Sequence, residues 1–420
     1  MLKTSLKTGA MAAQLGKTSG LVVGVAFGAL LLPNVAAAQL FEVSVTAGGS
    51  TGTRSFDNFE GFADGTFDQV SLSDINPNYS DTTPATIRGS FRGVPLRVEY
   101  PTAGPELIFT VPGLNFTRRF DNSLSREDNE DELLTFLEDN INNILTDVLN
   151  LAVATTATDP VAGNPASLQA RMVEADFSMG SGIGGGSNYG SERTASADAD
   201  GDEDAPNLIG AGARLGRFTS NDIDTTVIEL PFNYTIPLAD PRYALIFDLP
   251  LTYVDIDGAT SYAGSLGFGV RVPVFDNWSI TPSLRSGITG SVDLGSVGGL
   301  YSTLGNMVSY VATTPIDTEV DGYQIEYDLE NYITRNGVGL SGEVPGRTLL
   351  GLPMTWEAYV VNTQIFGDDV FIDNYTDVAF SLGSKASNNG ITWDAVRLGL
   401  AYTFTNEDYS GFKLDFGYRF

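Results

Sequence analysis

The chain of 420 residues has no cysteine and no histidine. Disulfide frameworks, thiolate nucleophiles, Cys/His zinc sites and imidazole bases are therefore excluded. Basic residues are scarce: 23 Lys and Arg stand against 52 Asp and Glu, a formal net charge of −29. With that deficit there is no surplus of cations to displace phosphate counterions, which argues against nucleic acid as a partner. The longest apolar run, Gly20 to Leu32, is shorter than the roughly 20 residues a transmembrane helix needs. A hydrophobic content of 42% with 10% aromatics is nevertheless too high for a disordered acidic chain.

The first 38 residues read as an export signal. Lys3, Lys7 and Lys17 form a basic region, Gly20 to Leu32 a short apolar core, and Ala36-Ala37-Ala38 a small-residue cleavage site before Gln39. The expected mature chain works outside the cytoplasm, and in a Gram-negative envelope if the later segments form a membrane barrel.

From about Ser167 onward one pattern repeats: about ten residues of alternation, then a turn. In 395–404, Val396, Leu398, Leu400, Tyr402 and Phe404 fall on one face and Arg397, Gly399, Ala401 and Thr403 on the other. In 411–420, Phe412, Leu414, Phe416, Tyr418 and Phe420 oppose Lys413, Asp415, Gly417 and Arg419. Similar segments lie at 228–238, 242–256, 265–274, 278–292, 322–333, 347–362 and 375–385, with weaker ones at 170–180, 207–218 and 298–311. Connections such as Ala239-Asp240-Pro241 and Asp276-Asn277 mark hairpins. The expected fold is all-β: an antiparallel up-and-down transmembrane β-barrel of about 12 strands over 167–420.

Alternation alone does not separate a membrane barrel from a soluble one, since only the polarity of the hidden face differs. The membrane is favoured by Tyr and Trp near strand ends (Tyr243, Tyr253, Trp278, Tyr310, Tyr323, Trp393 and Tyr402) and by Gly, Ser, Thr, Asn and mixed charges opposite the apolar positions. The expected lumen-lining charges are Arg271, Arg285, Arg397, Lys413, Arg419, Glu229, Glu326, Asp377 and Asp415. They would either salt-bridge a closed interior or line an eyelet that selects solutes.

Residues 39–125 contain short β-like runs between Gly/Asn/Asp/Pro turns and read as a small β-rich cap. A helix and linker occupy 126–166. Ser125 is the candidate N-cap, and Leu133, Leu134, Leu137, Ile141, Ile144, Leu145, Val148 and Leu151 recur at helical spacing opposite acidic residues. A helix over 127–152, about 38 Å long, either threads the lumen as a plug or packs its apolar stripe on the cap. Asp159-Pro160-Val161-Ala162-Gly163-Asn164-Pro165 is expected to end the helix and start the barrel.

Phe416, Tyr418 and Phe420 at alternate positions resemble the terminal assembly signal of bacterial outer-membrane barrels, with Asp415 standing where that signal usually has glycine. The order of signal peptide, short non-barrel segment, amphipathic helix and C-terminal strands resembles an autotransporter translocator domain. It is most similar to solitary barrels that lack a long passenger. The resemblance implies a non-enzymatic surface barrel in the cell outer membrane, in contact with lipid and lipopolysaccharide and inserted by the barrel-assembly machinery. A porin-like channel for small solutes is the alternative. Outer-membrane phospholipases and proteases use histidine, and paired carboxylates in so acidic a chain single out no site. No cofactor is expected. The acidic run carrying Asp198, Asp200, Asp202 and Asp204 is either a solvated loop or a weak Ca²⁺ site, and its spacing is not that of an EF-hand. Counting from a first strand at 170–180, the 181–206 loop would be extracellular.

Overall fold

The computed structural model describes residues 41–56, 69–121, 124–184, 207–220, 223–240, 242–256, 259–275, 277–285, 287–297, 300–313, 319–320, 323–324, 327–384 and 395–419. The expected signal peptide, the Asp198–Asp204 run, Glu326, Trp393 and Phe420 lie outside them, as do the side chains of Tyr323, Tyr418 and Arg419.

Strands β1 (Phe41–Ala47) and β2 (Ser50–Phe56) form a hairpin whose two-residue turn needs positive φ, supplied by Gly48 and Gly49 at 57° and 81°. The short helix α1 (Gln69–Ile75) leads to β3 (Ala85–Phe91), β4 (Val94–Tyr100), β5 (Leu107–Val111) and β6 (Phe116–Phe120). The antiparallel sheet has the order β2-β1-β3-β4-β5-β6. Strand periodicity puts Val43, Val45, Ile87, Val98 and Phe109 on one face, all buried.

That face is covered by α2 (Arg126–Thr155), which Ser125 caps by accepting from Asp128 N at 3.1 Å. Leu133, Val148, Leu149 and Ala152 of α2 join the core of the sheet, with Phe136, Leu137, Ile144 and Leu151 packed beside them. The long helix thus belongs to the N-terminal sheet. At its entry, Arg126 donates to Ser80 O, Thr102 O and Gly104 O and lies over the Tyr100 ring. Tyr100 in turn donates to Glu130.

Residues 168–181, expected to hold the first barrel strand, form a second helix, α3 (Leu168–Ser181). Short-range alternation and helical period overlap in this segment. Ala170, Val173 and Phe177 recur at helical spacing, and α3 has tertiary partners for both its apolar and its charged residues.

Strand β7 (Leu208–Ser220) opens the large sheet. It is followed by β8 (Ile223–Leu230), β9 (Phe232–Pro237), β10 (Ala244–Asp248), β11 (Leu251–Ile256), β12 (Ala259–Gly264), β13 (Gly267–Phe275), β14 (Trp278–Pro282), β15 (Gly287–Val297) and β16 (Leu300–Ala312). A minor hairpin, β17 (Glu319–Val320) and β18 (Tyr323–Gln324), precedes β19 (Glu330–Leu349), β20 (Leu352–Gly367), β21 (Asn374–Ser384), β22 (Ala395–Thr405) and β23 (Ser410–Arg419). Strands β8 and β9 are one long strand broken at Pro231, and both pair with β7. Proline has no N–H to give a ladder. Strands β10/β11 are divided in the same way at Pro250, and β12/β13 are divided at Ser265-Leu266, without a proline.

Among the described residues the antiparallel pairing runs β7-β23-β22-β21-β20-β19-β16-β15-β14-β13-β10-β9 and returns to β7. The segment expected to be one strand at 278–292 is a hairpin, and those expected at 322–333 and 347–362 begin later, at Glu330 and Leu352.

The two faces of this sheet have the polarity of a barrel immersed in lipid. In β22 and β23 the alternating apolar positions are the exposed ones, with Phe412 58%, Leu398 54% and Leu400 54% accessible, while Lys413 is 1% and Thr403 0% accessible. Phe247, Val308, Val360, Phe380 and Phe404 continue the exposed apolar band around the sheet. Tyr243, Trp278, Tyr310, Tyr332 and Tyr402 are also exposed on it.

The N-terminal domain docks at one rim. Phe371 N donates to Val153 O at 2.8 Å and Ile372 N to Gly163 O at 3.0 Å, both from the β20–β21 connection. Arg92 donates to Asp159 at 3.0 Å and to Tyr327 at 2.9 Å, and Tyr327 donates to the same carboxylate at 2.9 Å. The opposite rim holds the start of β7 and the end of β23. The 185–206 segment therefore joins α3 to the start of the first strand and does not follow it.

Burial pushes the Tyr79 hydroxyl up to about 12, with the Glu130 charge adding to the effect; burial raises Tyr100 and Tyr327 likewise. A phenol held neutral in the folded state stabilises the domain fully below its ordinary pKa of about 10. That contribution is lost as pH climbs through the folded value. Denaturant titrations should show the N-terminal domain weakening between pH 10 and 12, and Tyr79→Phe should lose less stability across that window.

Candidate functional site

The segment 157–167 has the composition of a spacer, yet nearly all of it is buried, and its polar side chains fold it. Asp159 Oδ1 accepts from Val161 N and Ala162 N at 2.8 and 3.2 Å. Asn164 donates to Ala157 O and Asp159 O at 3.1 and 2.7 Å and accepts from Ala166 N at 2.9 Å. Tyr409, from the β22–β23 connection, also donates to Asn164, at 3.4 Å. These side-chain bonds replace the ladder that two prolines deny the backbone.

Ser167 then caps α3, and Gly182 ends it in a left-handed conformation with φ 76°. The helix packs against the enclosed face of the barrel. Ala170, Val173 and Phe177, with Ile183 beyond the helix end, cluster with Met307, Ile333, Val361 and Tyr375. Close approach is made possible by glycines in the wall. A methyl group on Gly305 would stand 2.8 Å from Ser181 Cβ and 2.9 Å from Phe177 Cζ, and one on Gly269 would stand 3.1 Å from Met179 Cε.

The charged residues of α3 meet charges from five strands. Glu174 pairs with Arg171 on its own helix at 2.8 Å, with Arg214 of β7 at 3.1 Å and with Lys413 of β23 at 3.2 Å. Arg214 is directly opposite Glu229 of β8 on one side and Asp415 of β23 on the other, and bonds both. Lys413 also reaches Asp377 of β21 at 2.9 Å, and Asp377 binds Arg335 of β19 at 3.2 Å and Thr403 at 2.5 Å. The Arg335 guanidinium lies over the rings of Phe177 and Tyr375. Four cations (Arg171, Arg214, Arg335 and Lys413) therefore face four carboxylates (Glu174, Glu229, Asp377 and Asp415). All are buried except Asp415, which is 16% exposed. Burying charge on this scale is tolerable only with such pairing.

A second cluster joins Arg285 to Asp248 of β10 at 2.5 Å and to Asp176 of α3 at 3.5 Å. A third holds Arg397 against Thr355 at 3.0 Å, Ser381 at 3.1 Å and Glu357 at 3.6 Å. Beside it lies a small cavity, with room for about one water molecule, that Gly184, Glu357, Tyr359, Ser381, Arg397 and Asp415 help to line.

Of the residues expected to line the lumen, Arg285, Arg397, Lys413, Glu229, Asp377 and Asp415 are on the enclosed face and in these clusters. Arg271 is half-buried on the face of Gly267 and Gly269, without an ion pair to a described residue. Arg419 falls in β23, but its side chain, like Glu326 and the Asp198–Asp204 run, is outside the described residues. Among the described residues no group of three acidic side chains is placed to hold a metal ion. Phe416 is on the exposed apolar face. Sequence reasoning missed Arg214, Arg335, Asp248 and Glu357, in strands whose alternation is interrupted, and Arg171, Glu174 and Asp176, whose segment read as a strand. Their signal was the i,i+3 spacing of Arg171 and Glu174.

No protein-family model and no curated protein matches the sequence. Among solved structures, the β domain of the Bordetella autotransporter Brka is similar over 51% of this chain and 98% of its own, at 12% identity and a TM-score of 0.37. The transport unit of the autotransporter AIDA-I from Escherichia coli is similar over 53% and 92%, at 10% identity and a TM-score of 0.34. An outer-membrane channel from Pseudomonas putida F1 is similar over 51% and 95%, at 8% identity and a TM-score of 0.38.

Glu174→Gln leaves Arg171, Arg214 and Lys413 one carboxylate short. Breaking a buried pair in this way should cost about 3–5 kcal/mol of seating energy for α3. The check is amide exchange in detergent micelles, where α3 should lose protection while β19 to β22 keep theirs. Unchanged α3 protection would mean that the apolar contacts alone hold the helix.

Proposed function

We propose that the chain is a non-enzymatic outer-membrane barrel of the autotransporter translocator type, with its lumen filled by α3 and a small folded domain held at its outer rim. The observation that carries this reading is the path of the chain. It runs from the N-terminal sheet through a buried linker and into α3, whose Glu174 bonds β7 and β23, the first and last strands of the barrel. The exposed apolar band supports a place in lipid, and the export signal and terminal aromatic strand support the outer membrane of a Gram-negative bacterium. Lipopolysaccharide and the barrel-assembly machinery are the partners this location implies.

The orientation rests on the connections. The rim where β7 starts and β23 ends joins β13 to β14, β15 to β16 and β19 to β20 through two residues each and β21 to β22 through ten, whereas the docking rim joins β7 to β8 and β11 to β12 through two and carries the longest connection, 313–329. Short turns belong to the periplasmic side and long loops to the outer side. The N-terminal domain is then a small passenger that stays attached. The function assigned to α2 in the plug alternative passes to α3. The porin-like alternative draws on the cavity beside Arg397, which opens to solvent next to α3.

Planar-bilayer conductance separates the two readings. The full chain and a variant lacking 41–155 should both be silent, and one lacking 41–184 should conduct. Steady conductance from the full chain would favour the porin. Orientation has its own test, because a chain without cysteine accepts a single-cysteine label cleanly. Thr117→Cys, at an exposed position, should react with a membrane-impermeant maleimide in intact cells. Labelling only after outer-membrane permeabilisation would reverse the orientation.

A further inference from the structure

The N-terminal sheet has a second face, turned away from α2, that the proposed function does not use. Seven of the 18 arginines lie between 54 and 126, in a chain with only 23 Lys and Arg in all. Two of them, Arg88 on β3 and Arg97 on β4, are directly opposite one another in the antiparallel register, on the face away from the core. Like charges in that position destabilise a sheet. Arg97 has one acidic neighbour, Glu99 on its own strand, reached through Nε at 3.6 Å with both side chains substantially exposed. Arg88 is exposed and has no ion pair with a described residue.

The register continues this row across the sheet. Ser44 faces Arg88 and Thr53 faces Ser44 on one side; Thr110 faces Arg97 and Thr117 faces Thr110 on the other. The next row runs through Thr51, Thr46, Thr86, Glu99 and Ile108, with Thr46 and Thr51 hydrogen-bonded at 2.9 Å, and the row on the other side holds Ser55, Glu42 and Ser90. Two guanidinium forks are therefore flanked in their own row by hydroxyls, of which Thr110 is buried, with the carboxylates of Glu99 and Glu42 in the rows beside them, on a pleated surface with no aromatic residue among the outward positions of β1 to β5.

We propose that this face binds an anionic polysaccharide, with Arg88 and Arg97 together taking one phosphate, sulfate or carboxylate group. Arginine suits the task because its planar fork meets an oxyanion with two parallel hydrogen bonds, which the point charge of lysine does not. An anion between the two also removes the repulsion that the register imposes. The Ser and Thr hydroxyls, each donor and acceptor, match sugar hydroxyls on either side of the charged group. The absence of aromatic side chains disfavours single-stranded nucleic acid, whose affinity leans on base stacking. The inference does not depend on the translocator reading. The same chemistry reaches the face from a soluble polymer or from the phosphorylated sugars of lipopolysaccharide.

The test uses the full chain in detergent micelles and fluorescent dextran sulfate, with neutral dextran and a single-stranded oligonucleotide beside it. Dextran sulfate should bind, neutral dextran should not, and affinity should fall as salt is raised. The double variant R88Q/R97Q should weaken binding at least 10-fold, R88K/R97K should fall between, and R217Q, at the barrel rim, should bind as the parent does. Circular dichroism of each variant should match the parent, since the replaced side chains are outside the core. Vesicles with and without lipopolysaccharide then identify the source: Arg88/Arg97-dependent capture only by the former points to the lipid-borne glycan, and its absence points to the soluble one. Undiminished dextran sulfate binding by R88Q/R97Q, or tighter Arg88/Arg97-dependent binding of the oligonucleotide, overturns the proposal.

Discussion

A charge enclosed by a lipid-immersed barrel has to be neutralised by other side chains, because the wall around it is apolar on its far side and water has little room within. The interior of this protein is organised by that requirement. Arg214 is flanked in register by Glu229 and Asp415, so two hairpin partners supply its counter-charges before any tertiary contact forms. Lys413 and Arg335 are not matched in this local way. They share Asp377, and Lys413 gains a second carboxylate only when α3 brings Glu174 to it. Without the helix the wall carries three cations and three carboxylates in this cluster, unevenly placed, since Arg214 has two carboxylates while Lys413 and Arg335 share one; the helix adds Arg171 and Glu174, and the latter is the group that touches three cations. The ion pairs therefore specify where α3 sits, while its apolar contacts and the wall glycines permit the approach.

The same segment ties the N-terminal domain to the barrel. Its polar side chains satisfy the backbone of the linker, and its ends are held by hydrogen bonds from the β20–β21 connection and by the Arg92–Asp159–Tyr327 triangle. Movement of the domain away from the rim would strip Asp159 of the partners that neutralise it. Domain docking and helix seating are thereby coupled through one short run of chain, with no large apolar interface required between the two bodies.

Much of this was legible in the sequence wherever one neighbour relation repeats. The period of two in β22 and β23 assigns both faces residue by residue, because each strand position has only two orientations. The helix over 126–155 was equally plain from its cap and its stripe. Where the pattern was short or interrupted, reading failed: 168–181 alternates well enough to pass for a strand, and the barrel wall of β7 and β19 hid Arg214 and Arg335 among glycines and polar residues. The linker read as a spacer because proline and glycine mark a break in regular structure and say nothing about what side chains do there.

Composition and periodicity alone determined that this is an acidic, cysteine-free and histidine-free β protein whose long sheet has one apolar and one polar face, since those properties depend on residue type and spacing along the chain; which face is enclosed was decided by how the sheet closes. Which helix covers the small sheet and which enters the barrel was decided only by tertiary structure. Both helices are amphipathic, and the choice depends on where their counter-charges and glycine seats stand in space, on strands up to 239 residues away.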